Sequence, residues 1–206
     1  MPVYMAGPNP NNPRMGQSEL KPTENGAIEQ FRELFRGEHR EIRDSLLALL
    51  AAFEARDQRC AKTLLGTIGA LCGPHFRYEE EALYPALVAI YGKLYIEHML
   101  VEHDRAIIGA LRLEKLAKKK PFDGTEARQA THIVRTVLPH VSDCEGLSIM
   151  VEVLPEKVAR DILAARERAR ADNLDLAAWA NDVRERPFLL TYQRELYSAL
   201  RERPGV

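Results

Sequence analysis

The sequence predicts an all-α protein: an antiparallel up-down four-helix bundle with an internal pseudo-two-fold repeat, followed by extra helices at the C-terminal end. Three observations predict it. Apolar residues recur every three or four positions along four long stretches, the spacing that gives a helix one apolar face. The breaks between the stretches are short, as they are between neighbouring helices of a bundle, and no strand-like alternation appears. Finally, "GEHREIRDSLLALL" (37–50) resembles "VEHDRAIIGALRL" (101–113), and "GPHFRYEEEAL" (73–83) resembles "LPHVSDCEGL" (138–147), so one helical hairpin is used twice.

Taken in order, residues 1–24 are rich in Pro, Asn and Gly without periodicity and read as an extended or disordered arm. The bundle is expected over 25–155. Its first helix carries Phe31, Leu34, Phe35, Ile42, Leu46, Leu49 and Phe53 on one stripe. The second starts near Gln58, with Leu64, Ile68, Leu71, Leu83, Leu87 and Ile90 inward, and runs to the turn "YGK" (91–93). A third spans about Leu94 to Lys119 and is broken by "KKPFDGTE" (119–126), where Thr125 has the character of an N-cap. A fourth reaches about Leu154 before Pro155. Residues 156–206 then form a helical extension in three pieces, 156–171, 174–184 and 187–202, the last with a stripe of Phe188, Tyr192 and Leu196. Such an extension is expected to serve as a cap, a lid or a homodimer contact.

Composition narrows the function classes. With 29 basic and 30 acidic residues the net charge is −1, so no basic field points to nucleic acid. The short basic run "KLAKKK" (115–120) reads as a solvated helix end, where cations suit the dipole. No apolar run reaches the roughly 18 residues of a membrane span, and the N-terminus has no hydrophobic signal core, so a cytoplasmic protein is expected. Three cysteines, with no CxxC, do not make a disulfide framework.

The histidines carry the chemistry. His39 lies four after Phe35 and three before Ile42, His103 lies three after Leu100 and four before Ile107, His75 follows Leu71 by four, and His140 follows Val137 by three. Each therefore points inward with its helix's apolar stripe, and Glu79 follows His75 by one helical turn. Four imidazoles and a carboxylate from four helices meet in one interior, with no lysine or arginine on these stripes to neutralise the acid. Buried charges are paired or bind metal, so a metal ion is the expected partner. Imidazole with carboxylate suits iron, manganese or zinc. Pro74 and Pro139, each just before a ligand histidine, are expected to kink their helices and aim the donors that follow.

At these residues the chain resembles the hemerythrin-like (HHE cation-binding) family of four-helix bundles with a non-haem di-iron centre, over about residues 28–155. The resemblance implies metal ligation by His39, by His75 and Glu79 of "HFRYE", by His98 and His103 of "EHMLVEH", and by His140 and Glu145 of "HVSDCE". It implies two iron ions, with manganese or zinc as alternatives. His98 and His103 are five apart, about 140° on a regular helix, so both can ligate only across a π-bulge. The four-residue spacing from His140 falls on Cys144, but a bridging carboxylate favours Glu145. The function implied is dioxygen binding, sensing or detoxification, with dioxygen, peroxide or nitric oxide as ligand. A di-iron oxidoreductase whose pocket is lidded by the extension, and an iron donor or sensor, are the alternatives.

Overall fold

The computed structural model describes residues 26–119 and 121–184, which are helical throughout apart from short connections. The N-terminal arm and the helical piece expected over 187–202 lie outside the described residues. Helix α1 spans Ala27–Glu54 and buries Phe31, Phe35, Ile42, Leu46, Leu49 and Phe53, the predicted stripe without Leu34. Helix α2 (Gln58–Tyr78) starts at Asp57, whose carboxylate accepts from the Cys60 amide at 2.9 Å. It passes through Pro74 as an unbroken helix. A single π-helical segment, Glu79–Leu83, follows directly and leads into α3 (Tyr84–Tyr91). That helix stops at Gly92, whose φ of 81° lies in the left-handed region open to glycine.

Helix α4 (Lys93–Ala117) is regular along its whole length. Helix α5 (Gly124–Met150) begins two residues earlier than Thr125 suggested: Asp123 is the N-cap. Its carboxylate accepts from the Thr125 and Glu126 amides at 2.7 and 2.9 Å, and Glu126 returns a bond to the Asp123 amide at 3.0 Å. This reciprocal box satisfies more orphan amides than a threonine hydroxyl could. A turn of 3-10 helix (Val151–Val153) closes the segment, and Pro139, like Pro74, sits inside continuous helix.

Helix α1 packs on α2 and α5, and α4 packs on the same two. Two apolar clusters fill the space between them. One gathers the C-terminal half of α1, the first half of α2, the second half of α4 and the start of α5, around Leu49, Phe53, Leu65 and Val134. The other gathers the start of α1, α3, the start of α4 and the end of α5, around Phe31, Phe35, Tyr84 and Leu147. The inward histidines occupy the level where one cluster gives way to the other.

The extension is part of this core. Helices α6 (Glu156–Asp172) and α7 (Leu176–Asp182) pack on α2, with α6 also on α1 and α7 on α4. Trp179 is buried in the first cluster. Glu156 accepts from the Ala27 amide at 3.0 Å and so caps α1, whose own Gly26 has no side chain to do it. Gly73 explains half of the "GP" pair before His75. A Cβ there would lie 2.2 Å from the Leu174 carbonyl oxygen and 2.6 Å from the Asp175 carbonyl carbon, so only glycine lets the α6–α7 connection rest on α2. No described helix is long and apolar enough to cross a membrane.

Candidate metal centre

Glu79 stands at the centre, fully buried at the first residue of the π segment. The π turn decides what surrounds it. On a regular helix residues five apart diverge by about 140°. Here the Tyr84 amide bonds the Glu79 carbonyl across five residues, so that Glu79 and Tyr84 both face the interior. A π-bulge does exist, therefore, but on the second helical stretch and not between His98 and His103. Because α4 is regular, His103 is buried and His98 is exposed.

Three imidazoles turn their Nε2 atoms toward the Glu79 carboxylate. Oε1 lies 3.2 Å from His75 Nε2 and 3.9 Å from His39 Nε2, and Oε2 lies 3.2 Å from His103 Nε2. Each ring is held in that orientation by its other nitrogen. His39 Nδ1 donates to the Phe35 carbonyl, His75 Nδ1 to Glu38 Oε2 and His103 Nδ1 to Glu80 Oε1, each at 2.9 Å. This is the arrangement that fixes tautomer and ring plane in metal-ligating histidines. His103 further stacks on Phe76 at 3.8 Å between ring centroids. His140 is buried beside it at 4.9 Å, and its Nδ1 has no hydrogen-bond partner.

The fourth-helix carboxylate expected at Glu145 is not in this group. Glu145 is half-buried, and the inward position one residue earlier belongs to Cys144. One helical turn after His140, the thiol donates to Glu79 Oε1 at 2.8 Å and lies 3.3 Å from the Tyr84 hydroxyl. The Tyr84 oxygen is in turn 3.0 Å from His103 Nε2. His39, Glu79 and Cys144 offer donor atoms all within 4.8 Å of one another.

The outer carboxylates have partners that the helical stripes did not reveal. Arg166 of α6 reaches Glu38 Oε1 at 2.7 Å, and Tyr78 donates to Glu38 Oε2 at 2.7 Å. Arg184, just past α7, bonds Glu80 at 2.7 Å and Asp104 at 2.6 Å. Two parallel chains result, Arg166–Glu38–His75 and Arg184–Glu80–His103, each running from the extension to an inward imidazole. Glu81 points outward to Arg77 at 2.9 Å.

Electrostatics follow from this layout. Burial alone would lift the Glu38 carboxyl, but His75 and Arg166 outweigh it and hold it at about 2. Burial likewise opposes ionisation of Glu79, yet His75 and His103 keep it well below the carboxylate range. Burial pushes His75 down, but Glu79 and Glu38 overcome this and raise it to about 9; His103 is raised for the same reason by Glu79 and Glu80. For His39 and His140 the balance goes the other way: burial, then the charge of a neighbouring histidine, outweighs the pull of Glu79 and lowers them to about 4 and about 3. Without a metal, the carboxylates beside His75 keep a proton on it at neutral pH.

These residues fit a cation. Glu79 Oε2 is buried without a hydrogen bond even though His103 Nε2 is near, and His140 Nδ1 is also unsatisfied. Buried polar atoms are seldom left so. The convergent nitrogens belong to rings whose far sides are already anchored, and imidazole, carboxylate and thiol together are donors for a first-row transition metal or zinc.

Comparison with curated proteins and with solved structures finds no match. The family model for the hemerythrin HHE cation binding domain matches residues 30–147, more than half of the chain, and takes in the four buried histidines, Glu79 and Cys144. The chain belongs to the hemerythrin HHE cation-binding domain family, with its candidate metal site in the layer between two apolar clusters.

Proposed function

We propose that the domain is an antiparallel four-helix bundle whose centre holds two non-haem iron ions and binds a small diatomic ligand, dioxygen or nitric oxide, or peroxide. Two ions are supported by the way Glu79 divides its surroundings. Oε1 faces His39 and His75, while Oε2 faces His103, with His140 beside it. A carboxylate so placed can bridge. When bound, iron supplies the redox-active site at which the ligand is held.

One observation carries the choice of ligand. An apolar cavity of about 50 Å³ opens beside His39, His75 and His140 and continues between Ile42, Leu46 and Leu113 of the first cluster. Since one water-sized molecule needs about 10–15 Å³ by this measure, the space suits a few atoms and not an organic substrate. Its walls offer almost no polar surface, which favours an uncharged, weakly hydrated guest. Leu176 of the extension closes one side. That helix connection is seated on Gly73, an arrangement that supports a fixed wall in preference to an opening lid.

The test is anaerobic reconstitution with ferrous iron, metal analysis, and exposure to dioxygen. The expected result is about two iron ions per chain and an optical band that forms with dioxygen and bleaches under vacuum. Failure to retain metal removes the proposal. Multiple-turnover oxidation of an added organic compound replaces it with an oxidoreductase.

A further inference from the structure

We propose that Cys144 is a metal ligand, a thiolate occupying the place on α5 where a second inward carboxylate was expected. The inference rests on the metal-binding reading above and concerns which atoms hold the cation.

The geometry comes first. Cys144 is 1 % exposed, and its sulfur lies 2.8 Å from Glu79 Oε1, on the side of the carboxylate faced by His39 and His75. The side chain of Glu145 cannot share that position, because the next residue of a regular helix is turned by about 100° and α5 is regular here. Charge gives the second argument. Among the described residues, Glu79 is the carboxylate faced by the Nε2 atoms of His39, His75 and His103. Glu38 and Glu80 are already engaged by Arg166 and Arg184. Neutral imidazoles and one carboxylate leave a transition-metal cation with uncompensated charge in a fully buried layer, which is costly. A thiolate removes part of that excess. The unsatisfied Glu79 Oε2 and His140 Nδ1 show independently that this layer is built for a ligand it must still receive.

Metal binding then exchanges the S–H bond for a metal–sulfur bond, and the proton leaves to solvent. No electron is transferred. Tyr84, 3.3 Å from the sulfur, keeps its proton and donates a hydrogen bond to the thiolate. Tyr84 is thus a positioning residue. A soft donor in the shell shifts selectivity toward zinc, iron or cobalt and away from magnesium and calcium.

Cobalt(II) is the probe, because a thiolate on cobalt gives an intense sulfur-to-metal charge-transfer band in the near ultraviolet. The full chain is titrated with Co²⁺ under anaerobic conditions. The band is expected to grow in proportion to bound cobalt, to disappear in Cys144→Ser, and to survive in Cys72→Ser, whose thiol lines the apolar cavity and is not among the clustered donor atoms of His39, Glu79 and Cys144. Cobalt affinity in Cys144→Ser is expected to fall at least as far as the roughly 10- to 100-fold produced by losing an outer partner of a ligand. X-ray absorption on the iron-loaded wild type reads the same bond without any variant, as a sulfur neighbour directly on the metal. Bound cobalt with no such band, a band that persists in Cys144→Ser, or an iron spectrum with only nitrogen and oxygen neighbours each overturns the thiolate and leaves the metal centre standing. A wild-type chain that binds no cobalt and no iron overturns both.

Discussion

Replacing Glu38 by glutamine keeps the size of the side chain and removes its charge, which tests whether the chain Arg166–Glu38–His75 serves the metal or only the fold. Glu38 is 13 % exposed in its side chain and Arg166 is 8 % exposed, so this is a largely desolvated pair at 2.7 Å. Breaking a buried pair by removing one charge costs about 3–5 kcal/mol. Glutamine retains a carbonyl that can accept from Arg166 or Tyr78, so a loss near about 2–3 kcal/mol is expected for the metal-free protein. The second effect is on His75, whose Nδ1 donates to Glu38 at 2.9 Å. Without the anion the ring is less basic and less firmly oriented, and metal affinity should fall by roughly 10- to 100-fold, about 1.4–2.7 kcal/mol. The two are separable. Chemical denaturation of the metal-free variant reads the first, and an iron or cobalt titration under conditions where both proteins are folded reads the second. A variant that loses stability but binds metal with wild-type affinity refutes the idea that Glu38 orients a ligand. Arg166→Gln supplies the control, since it removes the outer charge while leaving the Glu38–His75 bond in place; its effect on affinity should be the smaller.

Four further outcomes are expected. Gly73→Ala forces a methyl group to within 2.2 Å of the Leu174 carbonyl oxygen; since the neighbouring atoms are backbone, melting temperature should drop with a stability loss of about 3 kcal/mol or more, and an unchanged melt would mean that the α6–α7 connection does not rest on α2. The metal-free protein should be most stable near pH 6.5. His75, raised to about 9, stabilises fully below 6.5 and loses that contribution as pH climbs through 9, whereas His39 and His140, lowered to about 4 and about 3, destabilise progressively as pH falls below 6.5. Metal affinity should rise over the alkaline window, because the cation held by His75 must displace its proton; denaturation and metal titration across pH 5–10 check both signs. Lastly, His103→Ala should abolish binding at one metal position while His98→Ala leaves stoichiometry intact, because one ring is fully buried against Glu79 and the other is exposed; equal losses by metal analysis would refute the assignment.

The order of legibility follows the range of the interactions. Helix stripes are local, so four long helices could be read from spacing, with α2, the π segment and α3 taken as one, and the inward histidines came with them because each rides its own stripe. Glu79 was legible as the residue one turn after His75. What could not be read depends on phase or on distance along the chain. Glu145 was favoured on chemical grounds over Cys144, although the four-residue spacing already pointed to the cysteine, and the structure follows the spacing. Tyr84 needed knowledge of the π turn, which puts it and Glu79 on one side despite a separation of five. Pro74 and Pro139 were expected to produce the irregularity, yet both lie in continuous helix, and the π segment begins five residues after Pro74. Arg166 and Arg184 lie 128 and 104 residues from the glutamates they bind, a separation that no periodicity encodes. A single signal could have found them: a centre with acidic residues beside its histidines and no cation on the inner stripes must draw its positive charge from elsewhere.

That the two guanidinium groups come from the extension gives α6 and α7 a thermodynamic part in the chemistry. Glu38 and Glu80 are each shared between an arginine on one side and an imidazole on the other. A change in how firmly the extension is seated changes the charge felt by His75 and His103, and hence their affinity for a cation. Reciprocity then requires the converse by the same factor: filling the centre alters the free energy with which the extension is held. Metal content and the outer face of the molecule are therefore two readings of one equilibrium, linked through four side chains, with Arg184 carrying the link to the point where α7 ends.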